Sequence, residues 1–354
     1  GQTAMNIKPT LLPALLLAMT APTTAAPAEP LYYYVQAGKV GVKTASGRIV
    51  ITPKPMFAPL VENFAEQKTP IRDHTIELCY SEQHKEDRKG TLATDAGDVY
   101  SRSGQYLYSP LLYDNSCDYW QEGMRRYVEN GRVGFVRRDG SRATPAQWDF
   151  ATPFEHGYAT VYRGGWQKAW TDDEHWTIAP AAPDAVSEII NQCGEAVTGS
   201  SLKTAADDVK IGGKYYPNPF AYTSAEQRIA DYFNQQPVLQ ALSRYYVDSP
   251  EDAAKLALKF EIVERPSAAL SYYVLRGFDP DGDAHDDAFF LVSADGKQRF
   301  AVNGYDALSL GNHVKKTPLR RWVRGKLLQA RDYLRRHPGK PHRFDVNRYL
   351  RQWR

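Results

Sequence analysis

The densest cluster of potential ligand atoms in the sequence is an acidic run, DPDGDAHDD, that begins at Asp279. Its carboxylates, at Asp279, Asp281, Asp283 and Asp287, are spaced so that a tight loop can turn several of them toward one hard cation. Calcium takes several oxygen ligands, often from flexible loops of this kind. An EF-hand is disfavoured because Phe290 occupies the position that would hold the bidentate glutamate. The run therefore predicts a calcium site at these four aspartates, and the alternative is a solvated acidic turn between two strands.

A second cluster, of basic residues, lies at the C-terminal end of the chain. Fourteen lysines and arginines against two aspartates give residues 315–354 a net charge of +12, whereas the whole chain carries +3. A helix is predicted from Thr317-Pro318, with one apolar face and one basic face. The basic face predicts binding to an anionic surface or an acidic protein, and the alternative is a solvated face docked on the protein's own acidic portion. The arginines of that face are Arg320, Arg324, Arg331 and Arg335.

No recognised catalytic motif accompanies these clusters. The sequence lacks a serine elbow, an H-E-x-x-H helix, a phosphate-binding loop and a cysteine–histidine pairing. Three histidines have a carboxylate beside them, which is compatible with acid–base chemistry, although such adjacency arises readily by chance. The sequence leaves enzymatic activity uncertain and favours a protein without one. The three pairs are Glu155-His156, Glu174-His175 and His285-Asp286.

The N-terminal region has the pattern of a secretory signal peptide. Residues 1–4 are interpreted as a cloning remnant in front of Met5, and Lys8 provides the positive charge that such signals carry. An apolar core over 11–19 and small residues around Ala26 follow, so the mature chain is expected to begin near residue 29. The core is too short for a membrane-spanning helix, which needs about 20 apolar residues. We expect a periplasmic or secreted protein without a transmembrane segment, for which nucleic acid is the least natural partner.

Three cysteines, Cys79, Cys117 and Cys193, fit one disulfide and one free thiol in an oxidising compartment. We expect Cys79 to pair with Cys117, although sequence alone does not fix the connectivity and three buried thiols are the alternative. Because there is no C-x-x-C motif, neither a thioredoxin-type site nor a zinc knuckle is predicted.

The elements that must position these residues begin with a repeated unit. Over 131–166, a strand-like run leads to a hairpin turn and a second strand-like run follows. Glycines recur upstream with the same spacing over 38–53 and, in degraded form, over 97–108. Residues between about 58 and 90 are interpreted as an insertion, and a tryptophan-rich fragment over 165–180 closes the array. The matched glycines are Gly38 with Gly131, Gly41 with Gly134, Gly47 with Gly140, and Gly123 with Gly157.

These units resemble the WG-repeat family of bacterial proteins, whose unit runs G-K-W-G, a turn, a strand ending I-P-P, and F-x-x-G-hydrophobic-A. The resemblance covers residues 32–180 and is carried by the segments GKVG, SGRIVITP and PFEHGYA. Val40 and Val133 replace the tryptophan that names the repeat. The resemblance implies a β-hairpin array used for binding, without a common catalytic activity.

The acidic run is similar to the calcium loops of FG-GAP-type repeats. It matches their spacing at all four aspartates and departs at Ala284, where a glycine is usual. The similarity implies a single calcium-binding loop followed by a strand.

The last part of the chain alternates helices with strands. After a short helix predicted over 185–193, a capping box at Thr223 and Glu226 predicts a second helix, and Ser249 begins a third that extends to Ile262. The 23 tyrosines favour strands over a helical bundle. Further strands are predicted over 268–276, 287–292 and 298–302.

The predicted fold is mostly β with α+β: an N-terminal β-hairpin repeat array followed by a small α+β domain with a C-terminal basic helix. We expect an exported, non-catalytic binding protein whose partner is a protein or an envelope polymer, with calcium as a stabilising ion. The alternative is a cell-envelope hydrolase with metal-dependent chemistry around Asp281, Asp283 and His285. The predicted segments are 1–28 for the remnant and signal peptide, 29–180 for the repeats, 181–222 for a linker and 223–354 for the α+β domain.

Overall fold

The computed structural model describes residues 28–79, 91–113, 116–173, 175–304 and 311–354. The predicted signal peptide, apart from residue 28, and Glu174 lie outside these residues. The fold is mostly β, with many small antiparallel sheets and a C-terminal helix, which confirms the predicted fold class. Among the residues described, no helix is both long enough and apolar enough to cross a membrane.

The described residues form short strands in an N-terminal part (28–216) and a mixture of helices and strands in a C-terminal part (217–354). The N-terminal elements are β1 (Leu31–Gln36), β2 (Lys39–Thr44), β3 (Ile49–Pro55), α1 (Ala58–Glu66), β4 (Ile76–Cys79), β5 (Gly97–Tyr100), β6 (Tyr106–Tyr108), β7 (Leu112–Tyr113), β8 (Ser116–Cys117), β9 (Met124–Glu129), β10 (Arg132–Arg137), β11 (Phe150–Ala151), β12 (Tyr158–Arg163), β13 (Trp166–Trp170), β14 (Trp176–Pro180), β15 (Val186–Asn191), β16 (Val209–Ile211) and β17 (Lys214–Tyr216). The C-terminal elements are α2 (Ser224–Asn234), α3 (Pro237–Arg244), α4 (Pro250–Lys255), β18 (Lys259–Glu264), β19 (Tyr272–Phe278), β20 (Ala284–Ser293), β21 (Arg299–Val302), β22 (Lys316–Pro318), α5 (Leu319–Arg336) and α6 (Val346–Gln352).

Two hairpins of the N-terminal part are built to the same plan. β1 and β2 are joined by the two-residue turn Ala37-Gly38, and β9 and β10 by Asn130-Gly131. The φ angles are +51° and +71° in the first turn and +52° and +73° in the second. Both turns thus have the two positive φ angles of a type I′ turn, whose twist matches that of the strands it joins. The predicted match of Gly38 with Gly131 is confirmed.

The strands of these hairpins also agree at Gly41 and Gly134, where no side chain would fit. A Cβ at Gly41 would lie 2.7 Å from the carbonyl oxygen of Ile51, and a Cβ at Gly134 would lie 2.7 Å from that of Pro145. Each glycine also pairs with a tyrosine on the neighbouring strand. The repeat in the sequence therefore corresponds to a repeated packing arrangement.

The same turn occurs twice more, at Glu122-Gly123 and His156-Gly157. Glu122 and His156 have φ angles of +54° and +52°, and the glycines after them +75° and +80°. The two turns lie side by side, because the N–H of Gly157 donates to Oε2 of Glu122 at 2.9 Å. Within the described chain, these four turns hold every non-glycine residue with a positive φ. Backbone geometry thus places two titratable side chains at the tips of the array.

The segment after the array continues one of its sheets. β15 pairs antiparallel with β12, with Ile190 opposite Ala159, and the three-stranded sheet has the order β11-β12-β15. The helix predicted over 185–193 is therefore wrong, since pairing with β12 and the burial of Ile190 outweigh local propensity. The predicted linker carries β15, β16 and β17, and the boundary predicted near residue 180 falls between the paired strands β12 and β15.

The predicted insertion contains α1 and β4, which the sequence analysis did not identify. α1 packs on β1 and β2, and β4 pairs with β5. A disulfide between Cys79 and Cys117, with Cα atoms 5.9 Å apart, ties β4 to β8 and confirms the predicted pairing. Cys193 is free and exposed.

The C-terminal part is a five-stranded antiparallel sheet, in the order β18-β19-β20-β21-β22, with helices packed on one face. The predicted capping box is confirmed, because Thr223 Oγ1 accepts the N–H of Glu226 at 3.2 Å and the Glu226 carboxylate accepts the N–H of Thr223 at 3.0 Å. The helix predicted from Ser249 ends at Lys255, so its extension to Ile262 is wrong. Ile262 instead pairs with β19 inside the sheet, where its side chain is buried.

A buried ion pair joins the two parts of the chain. Arg138, after β10, donates through Nε and Nη2 to the two carboxylate oxygens of Glu264, at the end of β18, with a distance of 3.0 Å for Nη2. The two side chains are only 5% and 7% exposed. A charge left alone in such a site is strongly unfavourable, so the pair restricts how the two parts can meet.

We expect Cys79→Ser combined with Cys117→Ser to lower the free energy of unfolding by about 2–4 kcal/mol. The bond spans a sequence separation of 38 residues and so restricts the unfolded chain. Cys193→Ser is the matched control, because the Cys193 thiol is free and exposed, and we expect a change within about 0.5 kcal/mol. Urea unfolding measures all three proteins, and equal stabilities would contradict the prediction.

Glu264→Ala leaves the guanidinium of Arg138 buried without this carboxylate, and we expect a loss of about 3–5 kcal/mol in the free energy of unfolding. The matched control is Glu129→Ala, since Glu129 pairs with Arg142 at 2.8 Å with both side chains more than 40% exposed. We expect that control to cost about 0–1 kcal/mol. Denaturant unfolding followed by fluorescence compares the two, and similar losses would show that the buried pair does not carry this role.

Candidate functional site

The predicted calcium loop is a closed turn in which one carboxylate serves the turn itself. Oδ1 of Asp279 accepts the backbone N–H groups of Asp281 and Asp283, each at 2.9 Å. The side chains of Asp281 and Asp283 are exposed, and that of Asp287 lies outside the described residues. In the part of the chain that the structure describes, no group of three Asp, Glu, His or Cys side chains could hold a metal ion. Calcium binding by this loop stays a prediction.

The acidic loop is attached to the repeat array through His156. Nε2 of His156 lies 2.6 Å from the carbonyl oxygen of Gly282, and Nδ1 lies 3.7 Å from a carboxylate oxygen of Glu261. The imidazole packs on Phe278 with ring centres 4.4 Å apart. Burial alone would lower the pKa of His156, but the nearby carboxylate of Glu261 and the hydrogen bond to Gly282 raise it above its usual value. The hydrogen-bond and ion-pair partners of His156, Gly282 and Glu261, thus come from the C-terminal part.

The residues named in the hydrolase alternative line different cavities, and that alternative stays a prediction. Asp281 and Asp283 line a cavity beside the repeat array, whereas His285 lines a separate cavity under α5. His175 bonds to Asp172 at 2.8 Å on an exposed hairpin. The sequence-adjacent acid–histidine pairs therefore do not form one site.

The basic helix offers fewer free arginines than its sequence indicates. Arg320 and Arg335 are exposed, whereas Arg324 is half-buried and donates to two backbone carbonyls at the end of α6 at 3.4 Å. Arg331 is also half-buried, with Nε 3.8 Å from a carboxylate oxygen of Asp332. An anionic partner would find two of the four predicted arginines fully exposed. The apolar face is as predicted, with Leu319, Val323, Leu327, Ala330 and Leu334 buried.

A cavity of about 450 Å³ lies where α1, β4 and the C-terminal part meet, and we call it the junction pocket. Tyr33 and Phe64 form an aromatic wall, with ring centres 5.1 Å apart in an edge-to-face contact. Ala269 and Gly311 line it from the C-terminal part. Its polar and charged lining includes Asn63, Gln67, Asp73, His74, Thr75, Glu77 and Arg138.

Two of the charged groups in the junction pocket are neutralised by ion pairs. Arg125 donates to the carboxylate of Glu77 at 2.5 and 3.3 Å, and Arg138 is paired with Glu264. The two guanidinium groups also lie over the ring of Trp120, at 5.1 and 5.3 Å from its centre. This arrangement of cations and an aromatic ring fixes the deep wall of the pocket.

The negative charge of Asp73 is compensated less completely by its surroundings. Burial and the negative charge of Glu77 raise the pKa of Asp73 above its usual value, and the positive charges of His313 and Arg102 offset this only in part. A raised pKa means that the ionised carboxylate lacks sufficient stabilisation where it lies. A cation entering the junction pocket would supply that stabilisation, and the aromatic wall would contact the cation's apolar parts.

The junction pocket was not predicted from the sequence. Asp73 and Glu77 belong to the stretch that was interpreted only as an interruption of the repeats, and the rest of the lining is distant in sequence. The signal that could have indicated the site is the interruption itself, since loops inserted into a rigid scaffold often carry function.

No protein-family model, curated protein or solved structure matches this chain. The resemblance to WG repeats therefore stays a prediction, and the function must be argued from the geometry of the chain itself.

Glu122, at the tip of the array, is a buried carboxyl group with a strongly altered pKa. Burial raises its pKa to about 7, while the N–H of Gly157 and the nearby charge of His156 oppose the change. The folded protein therefore binds this proton more tightly than the unfolded chain does, where the pKa is close to 4.5. The resulting stability is fully present below about pH 4.5 and is lost as the pH rises through about 7.

We expect Glu122→Gln to flatten the decline in stability between pH 5 and 7.5. A neutral glutamine can still accept the N–H of Gly157 but cannot ionise. The free energy of unfolding of the wild type should therefore fall by about 1–3 kcal/mol relative to that of the variant over this pH range. Urea unfolding at four pH values measures the difference. Glu129→Gln, at an exposed position, is the control and should leave the wild-type slope unchanged. A parallel pH dependence of wild type and Glu122→Gln would show that Glu122 does not titrate in this range.

Proposed function

We propose that the protein is an exported, non-catalytic binding protein whose junction pocket receives a cationic group of its partner. The partner is a protein or an envelope polymer that presents a lysine-like or arginine-like side chain. The observation that carries the proposal is Asp73, a partly buried carboxyl whose pKa is raised in a pocket with an aromatic wall.

The surroundings of Asp73 favour a guanidinium or ammonium group over a neutral ligand. Glu77 and Arg138 in the wall already have ion-pair partners, so Asp73 is the carboxylate with which an entering cation would pair. Tyr33 and Phe64 offer ring faces and edges against which a flat guanidinium or an alkyl stem can pack. The volume of the pocket, about 450 Å³, accommodates one such side chain together with part of its backbone.

Two further observations support export and a binding role. A disulfide ties β4 beside the pocket, and disulfides form in oxidising compartments outside the cytoplasm. The equivalent hairpins of the N-terminal part support the resemblance to WG repeats, which implies a binding scaffold. In this proposal the pocket recognises its partner and catalyses no reaction on it.

The test uses N-acetyl-arginine methylamide as the cationic probe and its citrulline analogue as the neutral isostere. We expect the arginine probe to bind the wild-type protein more tightly than the citrulline probe, and Asp73→Asn to weaken the arginine probe about five- to tenfold. Affinity for the arginine probe should also rise as the pH is raised, because the ionised form of Asp73 binds the cation. Isothermal titration calorimetry at pH 5 and 7 measures these affinities.

The matched control is Glu62→Gln, which removes an exposed carboxylate from α1 without touching the pocket lining. It should change the affinity for the arginine probe by less than about twofold, because exposed charges are screened by water and salt. Equal binding of both probes, or an unchanged affinity in Asp73→Asn, would overturn the cation proposal.

A further inference from the structure

A second cavity, of about 220 Å³, lies in the C-terminal part between α3, α5 and the sheet. We call it the His285 cavity. Most of its lining residues are apolar or aromatic in type, among them Leu239, Tyr245, Phe260, Phe290 and Trp322. It shares no lining residue with the junction pocket. Ligand sites typically combine such apolar walls with a few polar groups that fix the orientation of the ligand.

One polar group of this cavity is the imidazole of His285, on β20. Its Nδ1 is buried and has no hydrogen-bond partner among the described residues. Because this nitrogen has almost no accessible surface, a ligand in the cavity would meet the imidazole through its other ring atoms. The hydroxyl of Ser243, also in the wall, bonds to the backbone carbonyls of Gln240 and Leu256 at 2.9 and 3.0 Å.

The charge at the cavity favours an anion. α5 contributes Trp322, Lys326 and Gln329, which are spaced at one face of the helix, and the ammonium group of Lys326 lies 5.7 Å from the centre of the Trp322 ring. Among the described residues that line the cavity, none is acidic. The surrounding segment, 315–354, carries fourteen basic residues against two acidic ones. A carboxylate at the cavity could therefore pair with the ammonium group of Lys326.

We propose that the His285 cavity binds a small monocarboxylic acid with an apolar body. A cavity of about 150 Å³ lined by apolar side chains can hold benzene. A cavity of 220 Å³ therefore fits a phenyl ring with two or three further carbons, or a short acyl chain of similar size. The apolar body packs against Phe290 and Trp322, and the carboxylate lies within reach of His285 and Lys326. This site is separate from the junction pocket and does not depend on the proposed function.

The probe for the test is 3-phenylpropionate, and 3-phenylpropan-1-ol is the neutral analogue with the same body. The indole N–H resonance of Trp322 is followed by NMR during titration of the full chain. We expect a roughly millimolar dissociation constant for the acid, as is usual for ligands of about this size, and at least twofold weaker binding of the alcohol. No shift of the Trp322 resonance with either probe, or tighter binding of the alcohol, would overturn the proposal.

Two variants separate the contributions of charge and hydrogen bonding. Lys326→Gln, at an exposed position, should weaken the acid about two- to fivefold and leave the alcohol unchanged. His285→Phe keeps an aromatic ring but removes both nitrogens, and should weaken both probes. Arg335→Gln removes an exposed charge from the same helix away from the cavity and should leave both affinities unchanged. An equal effect of Lys326→Gln and Arg335→Gln on the acid would assign the effect to general charge and refute the site.

Discussion

The ion pair between Arg138 and Glu264 is the contact on which the arrangement of the rest depends. Both side chains are almost fully buried, so a shift that breaks the pair but keeps the site closed would leave two buried charges without partners. The guanidinium of Arg138 also lies over the ring of Trp120. Arg125 lies over the same ring and donates to Glu77 in the wall of the junction pocket. The contact that joins the two parts therefore also shapes the cavity between them.

The tips of two hairpins complete this junction. Glu122 and His156 occupy matching positions in adjacent turns, and His156 bonds to the acidic loop through the carbonyl of Gly282. The acidic loop, read from sequence as a free ligand-bearing loop, is thus one side of an internal contact. Its first aspartate, Asp279, stabilises the turn that presents this carbonyl. Glu122, His156 and the acidic loop thus meet where the two parts of the chain join.

The sequence predicted the features that depend on local chemistry. The matched glycines, the capping box at Thr223, the apolar face of α5 and the fold class are all confirmed, because each follows from residues close together in the chain. It failed where long-range pairing decides the outcome. β15 became a strand because β12 offered it a partner, and no local pattern contains that information.

The junction pocket and the His285 cavity could not be predicted from the sequence for the same reason. The junction pocket collects side chains from Tyr33 to Gly311, and the His285 cavity combines α3, α5 and the sheet. Only the fold brings such residues together. The cysteine pairing was predicted correctly, although its place beside the pocket became evident only in three dimensions.

The type I′ turns give this scaffold a particular capacity for change. Each turn requires a positive φ from both of its residues, and glycine meets that requirement at the second position without steric cost. The first position accepts alanine, glutamate, asparagine and histidine in the four turns of this one chain, with nearly the same backbone angle. A single substitution there can exchange the chemistry of a tip while the register of the strands stays the same. Related proteins can therefore diversify what their hairpin tips contact at little structural cost, in the way that variable loops diversify on a constant framework.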